Sequence, residues 1–251
     1  MSQFSLGLCS VSFRKHTPEE ILGEMQKTGL DRIEWGGDIH APSNNLPRLK
    51  QLAQLQKDYG FTCTSYGTYF VVGTNSVDEL LSCIEAANIL GTSVLRLWAG
   101  KKNSEDFSEK EKKIFFEECQ NLSKIAKKEN VTLCMECHNK TYTNRRQSAL
   151  ELMQAVDSPH VRMYWQPNPF STLEENLSSA RVLSPYTQNI HLFHWIGKSK
   201  FPLGDGSTIW KQYLKCFRGE KNLLLEFMPD GRLESLKRET DSARELLNTL
   251  Q

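Results

Sequence analysis

Eight short apolar segments alternate with amphipathic segments along the chain, and this alternation constrains the fold more than any other feature of the sequence. Each apolar segment is rich in β-branched and aromatic residues and is bounded by polar or turn residues, a pattern that is typical of strands. Their near-continuous apolar character indicates strands that are covered on both faces, as in a parallel sheet. The predicted strands span residues 4–13, 31–37, 61–70, 93–100, 131–138, 161–168, 187–195 and 222–229.

The segments between these strands carry helix signals. Thr17, Pro18 and Glu20 form a capping-box arrangement at the start of one helix, and Gly91 is placed to end another that begins at Ser76. The predicted helices span residues 17–29, 43–59, 76–91, 108–130, 145–157, 172–184, 207–218 and 232–250.

Eight strand–helix units in 251 residues average about 31 residues each, close to the size of one βαβ step. No Pro-, Gly- or Ser-rich linker divides the chain, and neither a G-x-G-x-x-G nor a Walker A motif occurs. The sequence therefore predicts an α/β fold, a single (β/α)8 TIM barrel that occupies residues 1–251 as one domain.

Composition narrows the classes of partner. The formal net charge is +1 and gives no basic field, so we expect no nucleic-acid partner. No apolar run approaches the roughly 20 residues of a membrane span, and the first residues do not resemble a signal peptide, which predicts a cytoplasmic protein without a membrane partner. The seven cysteines are then expected to be free thiols. The sequence leaves open whether the protein forms a homo-oligomer.

Four successive predicted strands carry a polar side chain near the outer end. These are Glu136 on strand five, Gln166 on strand six, His191 on strand seven and Glu226 on strand eight. The carboxyl ends of barrel strands surround the active site in this fold. Two carboxylates, an imidazole and an amide oxygen predict a site for a divalent cation such as Mn²⁺, Mg²⁺ or Co²⁺, with Zn²⁺ also open.

Each of these residues also has a purely structural interpretation. A strand glutamate is often an ion-pair partner, and Arg96 on strand four is placed to serve both Glu136 and Glu226. A strand histidine is often a hydrogen-bonded core residue. The coincidence at four consecutive strand ends favours a functional site.

Several short motifs give the whole chain a resemblance to the sugar phosphate isomerase/epimerase superfamily, the xylose isomerase-like TIM barrels. They keep the order of the predicted elements and read IEWGGDIHAP, MECHNKTYT, YWQPNP, HLFHW, FPLGDGSTIW and LLLEF. The resemblance implies a metal set of Glu, Asp, His and Glu at positions 136, 166, 191 and 226. It also implies that Glu136 and Glu226 act as catalytic residues, which remove and return a proton on carbon.

The sequence departs from this pattern at three positions. Gln166 stands where the family usually has Asp, so one negative charge is missing and a metal is expected to bind more weakly. Pro169 and His194 replace a His and an Asp that are frequent in relatives. These changes leave the exact reaction open.

The polar residues around the four strand ends are expected to form the wall of a carbohydrate-binding pocket. The candidates for substrate binding are Glu34, His40, Tyr66, Arg96, Trp98, His138, Asn168 and His194. Tryptophans could offer flat apolar surfaces to a sugar, although at least two of Trp35, Trp98, Trp165 and Trp195 are expected to pack beneath the helices.

The leading functional hypothesis is a divalent-metal-dependent isomerase or epimerase of a sugar, sugar phosphate or polyol, which transfers a proton through an enediolate. Three alternatives remain. The first is a lyase that dehydrates an inosose or keto-sugar, and the second is a sugar-binding barrel that has lost a metal ligand through Gln166. The third, an abasic-site endonuclease, is disfavoured by the charge balance and by Gln166 and Pro169.

Overall fold

In the computed structural model, which describes residues 3–250, eight parallel strands close into a barrel in the order β1-β8-β7-β6-β5-β4-β3-β2. Each strand is followed by a helix, so the predicted (β/α)8 TIM barrel is confirmed. The strands are β1 (Phe4–Cys9), β2 (Arg32–Gly36), β3 (Thr62–Val71), β4 (Val94–Trp98), β5 (Thr132–Glu136), β6 (Val161–Trp165), β7 (Thr187–Leu192) and β8 (Lys221–Leu225).

Within the described residues, eight α-helices surround the barrel, and several begin at side chains that satisfy free backbone N–H groups. The predicted capping box at Thr17 and Glu20 is present, with both side chains accepting from backbone amides. At these helices, such caps fix where the preceding loop enters the helix. The helices are α1 (Pro18–Gln26), α2 (Leu46–Asp58), α3 (Val77–Leu90), α4 (Glu109–Lys128), α5 (Arg146–Val156), α6 (Leu173–Leu183), α7 (Ser207–Leu214) and α8 (Leu236–Asn248).

Seven of the eight strands are shorter than the sequence predicted, and after two of them the chain forms another element in the residues that were assigned to the strand. Residues Ser10–Phe13, which were assigned to the first strand, form a short 3-10 helix. The strand predicted over 187–195 ends at Leu192, where its pairing with β8 stops. The chain then forms a small antiparallel hairpin, His194–Ile196 with Ser199–Phe201, which we call the mouth hairpin.

The apolar layer between the strands and the helices holds much of the core. Trp35 and Trp165 are fully buried there, and their indole N–H groups donate to Gln56 and Ser179. Two tryptophans therefore pack beneath the helices, as expected. All seven cysteines are free thiols. Among residues 3–250 no helix is both long enough and apolar enough to cross a bilayer.

Candidate active site

The four side chains predicted as metal ligands meet at one point at the carboxyl end of the barrel. His191 Nδ1 lies 3.0 Å from Gln166 Oε1, 3.5 Å from Glu136 Oε1 and 3.4 Å from Glu226 Oε2. His191 is completely buried, and Glu136 and Glu226 are nearly so. The ligand atoms of Glu136, His191 and Glu226 all lie within 4.8 Å of one another, close enough to contact one ion.

The charges around this point fit a divalent cation. Glu34, Glu136 and Glu226 carry three negative charges, and Arg96 is the buried cation that pairs with the first two. With a neutral His191, two negative charges remain, which one divalent ion would balance. Burial alone would lower the pKa of His191, but Glu226 and its other partners outweigh burial and raise it well above the usual value. The site thus favours positive charge where the four side chains meet.

Gln166 is oriented with its oxygen toward this point. Its side-chain NH₂ donates to the backbone carbonyl of Cys137 at 2.9 Å, which leaves Oε1 beside His191 Nδ1. Amide and carboxylate oxygens together with one imidazole nitrogen suit Mg²⁺, Mn²⁺ or Co²⁺. The donor set therefore fits a divalent metal, with two carboxylates and two neutral members, Gln166 and His191.

Arg96 connects two carboxylates beneath the cavity. Its Nη1 lies 2.5 Å from Glu136 Oε2, and its Nε lies 3.3 Å from Glu34 Oε1. Trp98 Nε1 donates to the same Oε2 of Glu136 at 2.8 Å. Burial tends to raise the pKa of Glu136, but Arg96 and His191 lower it far below the ordinary value, so Glu136 stays ionised.

Glu34 lies below the floor of the cavity and does not line it. Its Oε2 accepts hydrogen bonds from Ser65 at 2.8 Å and from Tyr164 at 2.7 Å. Burial would raise its pKa, yet His191, Arg96 and Tyr164 together lower the pKa of Glu34 to about 2. Glu34 was expected to bind substrate, and the structure instead places it as a buried partner of Arg96.

Glu226 differs from the other two carboxylates. Within residues 3–250, the one donor that the structure places beside its oxygens is His191 Nδ1, at 3.4 Å. Burial raises the pKa of Glu226, and the charge of Glu136 adds to this rise, while His191 opposes it. Glu226 is thus the carboxylate with free capacity to accept a proton.

A cavity of about 1420 Å³ opens above these groups. Of the predicted substrate-binding residues, Arg96, Trp98, His138 and Asn168 line it. The His138 ring stacks on Trp98 with centroids 5.4 Å apart, and its Nδ1 lies 2.6 Å from the Asn139 carbonyl oxygen. That contact identifies Nδ1 as the protonated nitrogen and leaves Nε2 for a ligand. Asn168 and Asn139 pair through their side-chain amides.

Besides Glu34, the structure keeps three more of the predicted substrate-binding residues out of the cavity. Tyr66 faces the helices, because neighbouring residues of β3 face the barrel interior, and its hydroxyl donates to the Ala41 carbonyl at 2.6 Å. His40 is buried in the adjoining loop, with Nδ1 2.9 Å from Ser10 Oγ. His194 lies on the side of the mouth hairpin opposite to Trp195 and packs against Phe201.

Sequence reasoning missed several residues of the cavity wall, among them Arg14. Arg14 donates to Asp38 and to the Tyr69 hydroxyl, both at 2.5 Å, and it lines the cavity. The signal was weak, because Arg14 follows the short 3-10 helix and its partners come from the loop after β2 and from β3. The sequence offers one hint that Arg14 lies at the cavity, because Arg14 directly follows the predicted first strand, at the end of the barrel where the site lies.

Comparison with known proteins places the chain in a family. The model of the xylose isomerase-like TIM barrel family matches residues 22–246, and the chain belongs to this family. The resemblance stated from the sequence is thereby confirmed.

Individual relatives include enzymes of more than one reaction type. A 3-dehydroshikimate dehydratase of Bacillus anthracis is 23% identical over 201 residues, which cover 73% of this chain and 69% of the relative. Among solved structures, a probable 3-DHS dehydratase of Bacillus anthracis involved in petrobactin synthesis has a TM-score of 0.79 at 20% identity, covering 96% of this chain and 98% of that one. An L-ribulose 3-epimerase has a TM-score of 0.71 at 14% identity, covering 98% and 95%.

Proposed function

We propose that this protein removes a proton from the carbon beside a carbonyl group in a small polyhydroxylated substrate and then releases water, which makes it a dehydratase. The observation that carries the proposal is the inequality of the two cavity carboxylates. Glu136 Oε2 is occupied by Arg96 and Trp98, whereas Glu226 is free to accept a proton. This arrangement suits a reaction with one base.

Glu136, Gln166, His191 and Glu226 would hold the divalent metal, which is expected to be Mn²⁺, Mg²⁺, Co²⁺ or Zn²⁺. When bound there, such an ion supplies Lewis-acid polarisation of a substrate carbonyl. Arg96 and Trp98 keep Glu136 ionised and fixed in place, so its charge stays available to the site.

The protein's own groups account for the rest of an elimination. Glu226 accepts the proton from the carbon next to the carbonyl. A carbon–carbon double bond forms as the C–O bond of the neighbouring hydroxyl breaks, and a protonated His138 supplies the proton with which that hydroxyl leaves as water. Asn139 O accepts from Nδ1 of the His138 ring, which leaves Nε2 as the ring nitrogen available to a ligand in the cavity. The curated dehydratase relative supports this outcome.

The second candidate is sugar isomerisation or epimerisation, as the sequence first suggested. A one-base isomerisation uses the same first step, in which Glu226 takes a proton from carbon. An epimerisation needs a second base on the other face of that carbon, and Glu136 is poorly placed for this because Arg96 and Trp98 occupy its Oε2. The dehydratase is therefore favoured over the epimerase.

Product analysis separates these reactions. We expect purified protein supplied with Mn²⁺ or Co²⁺ to convert a polyhydroxylated ring ketone into a conjugated enone, seen as new ultraviolet absorbance and as a vinyl proton by NMR. Formation of an isomeric sugar without loss of water would support the second candidate instead. Neither product from a panel of ring ketones and keto-sugars would contradict both.

Gln166 offers a test of the metal site that does not rely on turnover. Gln166→Glu keeps the length of the side chain and adds a negative charge beside His191, so we expect Mn²⁺ to bind on the order of 10- to 100-fold more tightly. Calorimetric titration with Mn²⁺ measures this change. Gln147→Glu is the control, because Gln147 lines the cavity but lies outside the four-residue set. Equal tightening in both variants would show that general charge, and not this position, sets the affinity.

A further inference from the structure

A chain of hydrogen-bonded polar side chains runs through the barrel interior beneath the candidate metal ligands. Asn222 donates to Asn189 Oδ1 at 3.0 Å, and Asn189 donates to the Tyr164 hydroxyl at 2.6 Å. That hydroxyl donates in turn to Glu34 Oε2 at 2.7 Å. Asn189, Tyr164 and Glu34 are buried, so each depends on its neighbours for hydrogen-bond partners. We call these four residues the interior chain.

The interior chain ends at Glu34, which accepts hydrogen bonds and donates none. Ser65 is a second donor to Oε2, while the Cys9 thiol and Arg96 Nε lie 3.7 Å and 3.3 Å from Oε1. Donors and a cation around a carboxylate keep it ionised. A negative charge is therefore held at a fixed place in the barrel interior.

His191 lies between this charge and the four candidate metal ligands. Its Nδ1 faces Gln166, Glu136 and Glu226. The other ring nitrogen, Nε2, lies 3.8 Å from Glu34 Oε1, and among residues 3–250 it is a buried nitrogen without a hydrogen-bond partner. A lone pair on Nε2 would be repelled by the Glu34 carboxylate, whereas an N–H group is attracted to it.

We infer that Glu34 is a positioning residue, which keeps a proton on Nε2 of His191 and leaves the Nδ1 lone pair for a divalent cation. The inference rests on the metal site of the proposed function and extends it to a residue that does not line the cavity. Tyr164 and Asn189 act through Glu34, because their hydrogen bonds fix its carboxylate. A group that orients a metal-bound histidine in this way commonly changes metal affinity by about 10- to 100-fold.

The position of the proton can be measured directly. Zn²⁺ is diamagnetic and binds imidazole, so ¹⁵N NMR of histidine-labelled, Zn²⁺-loaded protein shows which ring nitrogen carries hydrogen, with His191→Gln to assign the signals. We expect the proton of His191 on Nε2 and the metal on Nδ1. In Glu34→Gln the Nε2–H signal should shift, which a loss of stability alone would not cause. Zn²⁺ on Nε2 would overturn the inference and leave the metal site standing.

The affinity for Mn²⁺ measures how much the interior chain contributes. We expect Glu34→Gln to raise the Kd for Mn²⁺ by about 10- to 100-fold in calorimetric titration. Tyr164→Phe removes only the hydroxyl that donates to Glu34, so we expect a smaller rise of about threefold to tenfold. Because the ring is retained, this variant still tests the inference if Glu34→Gln does not fold.

Two controls make the same chemical changes away from His191. Glu239→Gln alters a buried glutamate that pairs with Arg238 at 2.8 Å, and Tyr142→Phe alters a buried tyrosine that donates to Glu151 at 2.9 Å. Neither should change the Kd. An unchanged Kd in both Glu34→Gln and Tyr164→Phe, or the same rise in the controls, would overturn the inference. Absence of Mn²⁺ binding by the wild-type protein would contradict the metal site and the inference together.

Discussion

Glu226→Gln is expected to lower kcat by about 10²–10⁴-fold, the usual contribution of a general base. The substitution keeps the shape of the side chain and an oxygen that can contact a cation, but an amide cannot take a proton from carbon. Glu226 is buried and borders the cavity. Because glutamine has nearly the same shape as glutamate, the substitution leaves the volume and surface of the cavity nearly unchanged.

Two measurements make this expectation specific. Metal content and the thermal unfolding midpoint of Glu226→Gln should be determined at saturating Mn²⁺, so that loss of turnover is not confused with loss of the ion or of the fold. Glu220→Gln is the matched control, since it makes the same chemical change in an exposed residue just before β8. Turnover in Glu226→Gln within a few-fold of that of the control would contradict the role given to Glu226.

Arg96→Met is expected to destabilise the protein by about 3–5 kcal/mol, as is common when one partner of a buried ion pair is removed. Arg96 is 3% exposed, and its removal leaves both Glu34 and Glu136 buried without their cation. Methionine retains much of the volume, so the loss would arise from charge more than from packing. Equilibrium unfolding in urea gives the change in free energy.

A rescue experiment and a control isolate the cause. Adding Glu34→Gln and Glu136→Gln to Arg96→Met removes the unpaired charges and should restore part of the lost stability. Arg232→Met removes an exposed ion pair with Glu234, at 3.5 Å, and should change stability by no more than about 1 kcal/mol. A change in Arg96→Met as small as that of Arg232→Met would show that the buried network contributes little.

The fold could be predicted because its elements are marked by local sequence patterns. Apolar runs marked the strands, and capping pairs such as Thr17 with Glu20 marked helix starts at the residues where they occur. The metal-ligand candidates were found by a similar local argument, because an ionisable residue within an apolar strand, such as Glu136 or Glu226, needs a partner. Their meeting around His191 then depended only on the barrel closing.

The predictions of site residues were wrong where the pairing register between strands decides whether a side chain faces the barrel interior or the helices. Tyr66 and the interior Ser65 are neighbours, and one step along the strand moves a side chain from the helices to the barrel interior. The pairing of β2 with β3 also shifts between Ile33 and Glu34, which no sequence period reveals. The sequence predicted the pairing of Arg96 with Glu136, but it offered Glu226 as the second partner where the structure has Glu34. That partner, which comes from another strand, and the place of Arg14 in the wall were beyond a strand-by-strand interpretation.

The central claim is that Glu226 takes a proton from the carbon beside a substrate carbonyl. Its most direct measurement is the rate at which deuterium from D₂O enters that carbon, with Mn²⁺ present and before any product forms. We expect exchange that depends on the wild-type protein, is lost in Glu226→Gln and persists in Glu220→Gln. Exchange of equal rate in Glu226→Gln would contradict the claim.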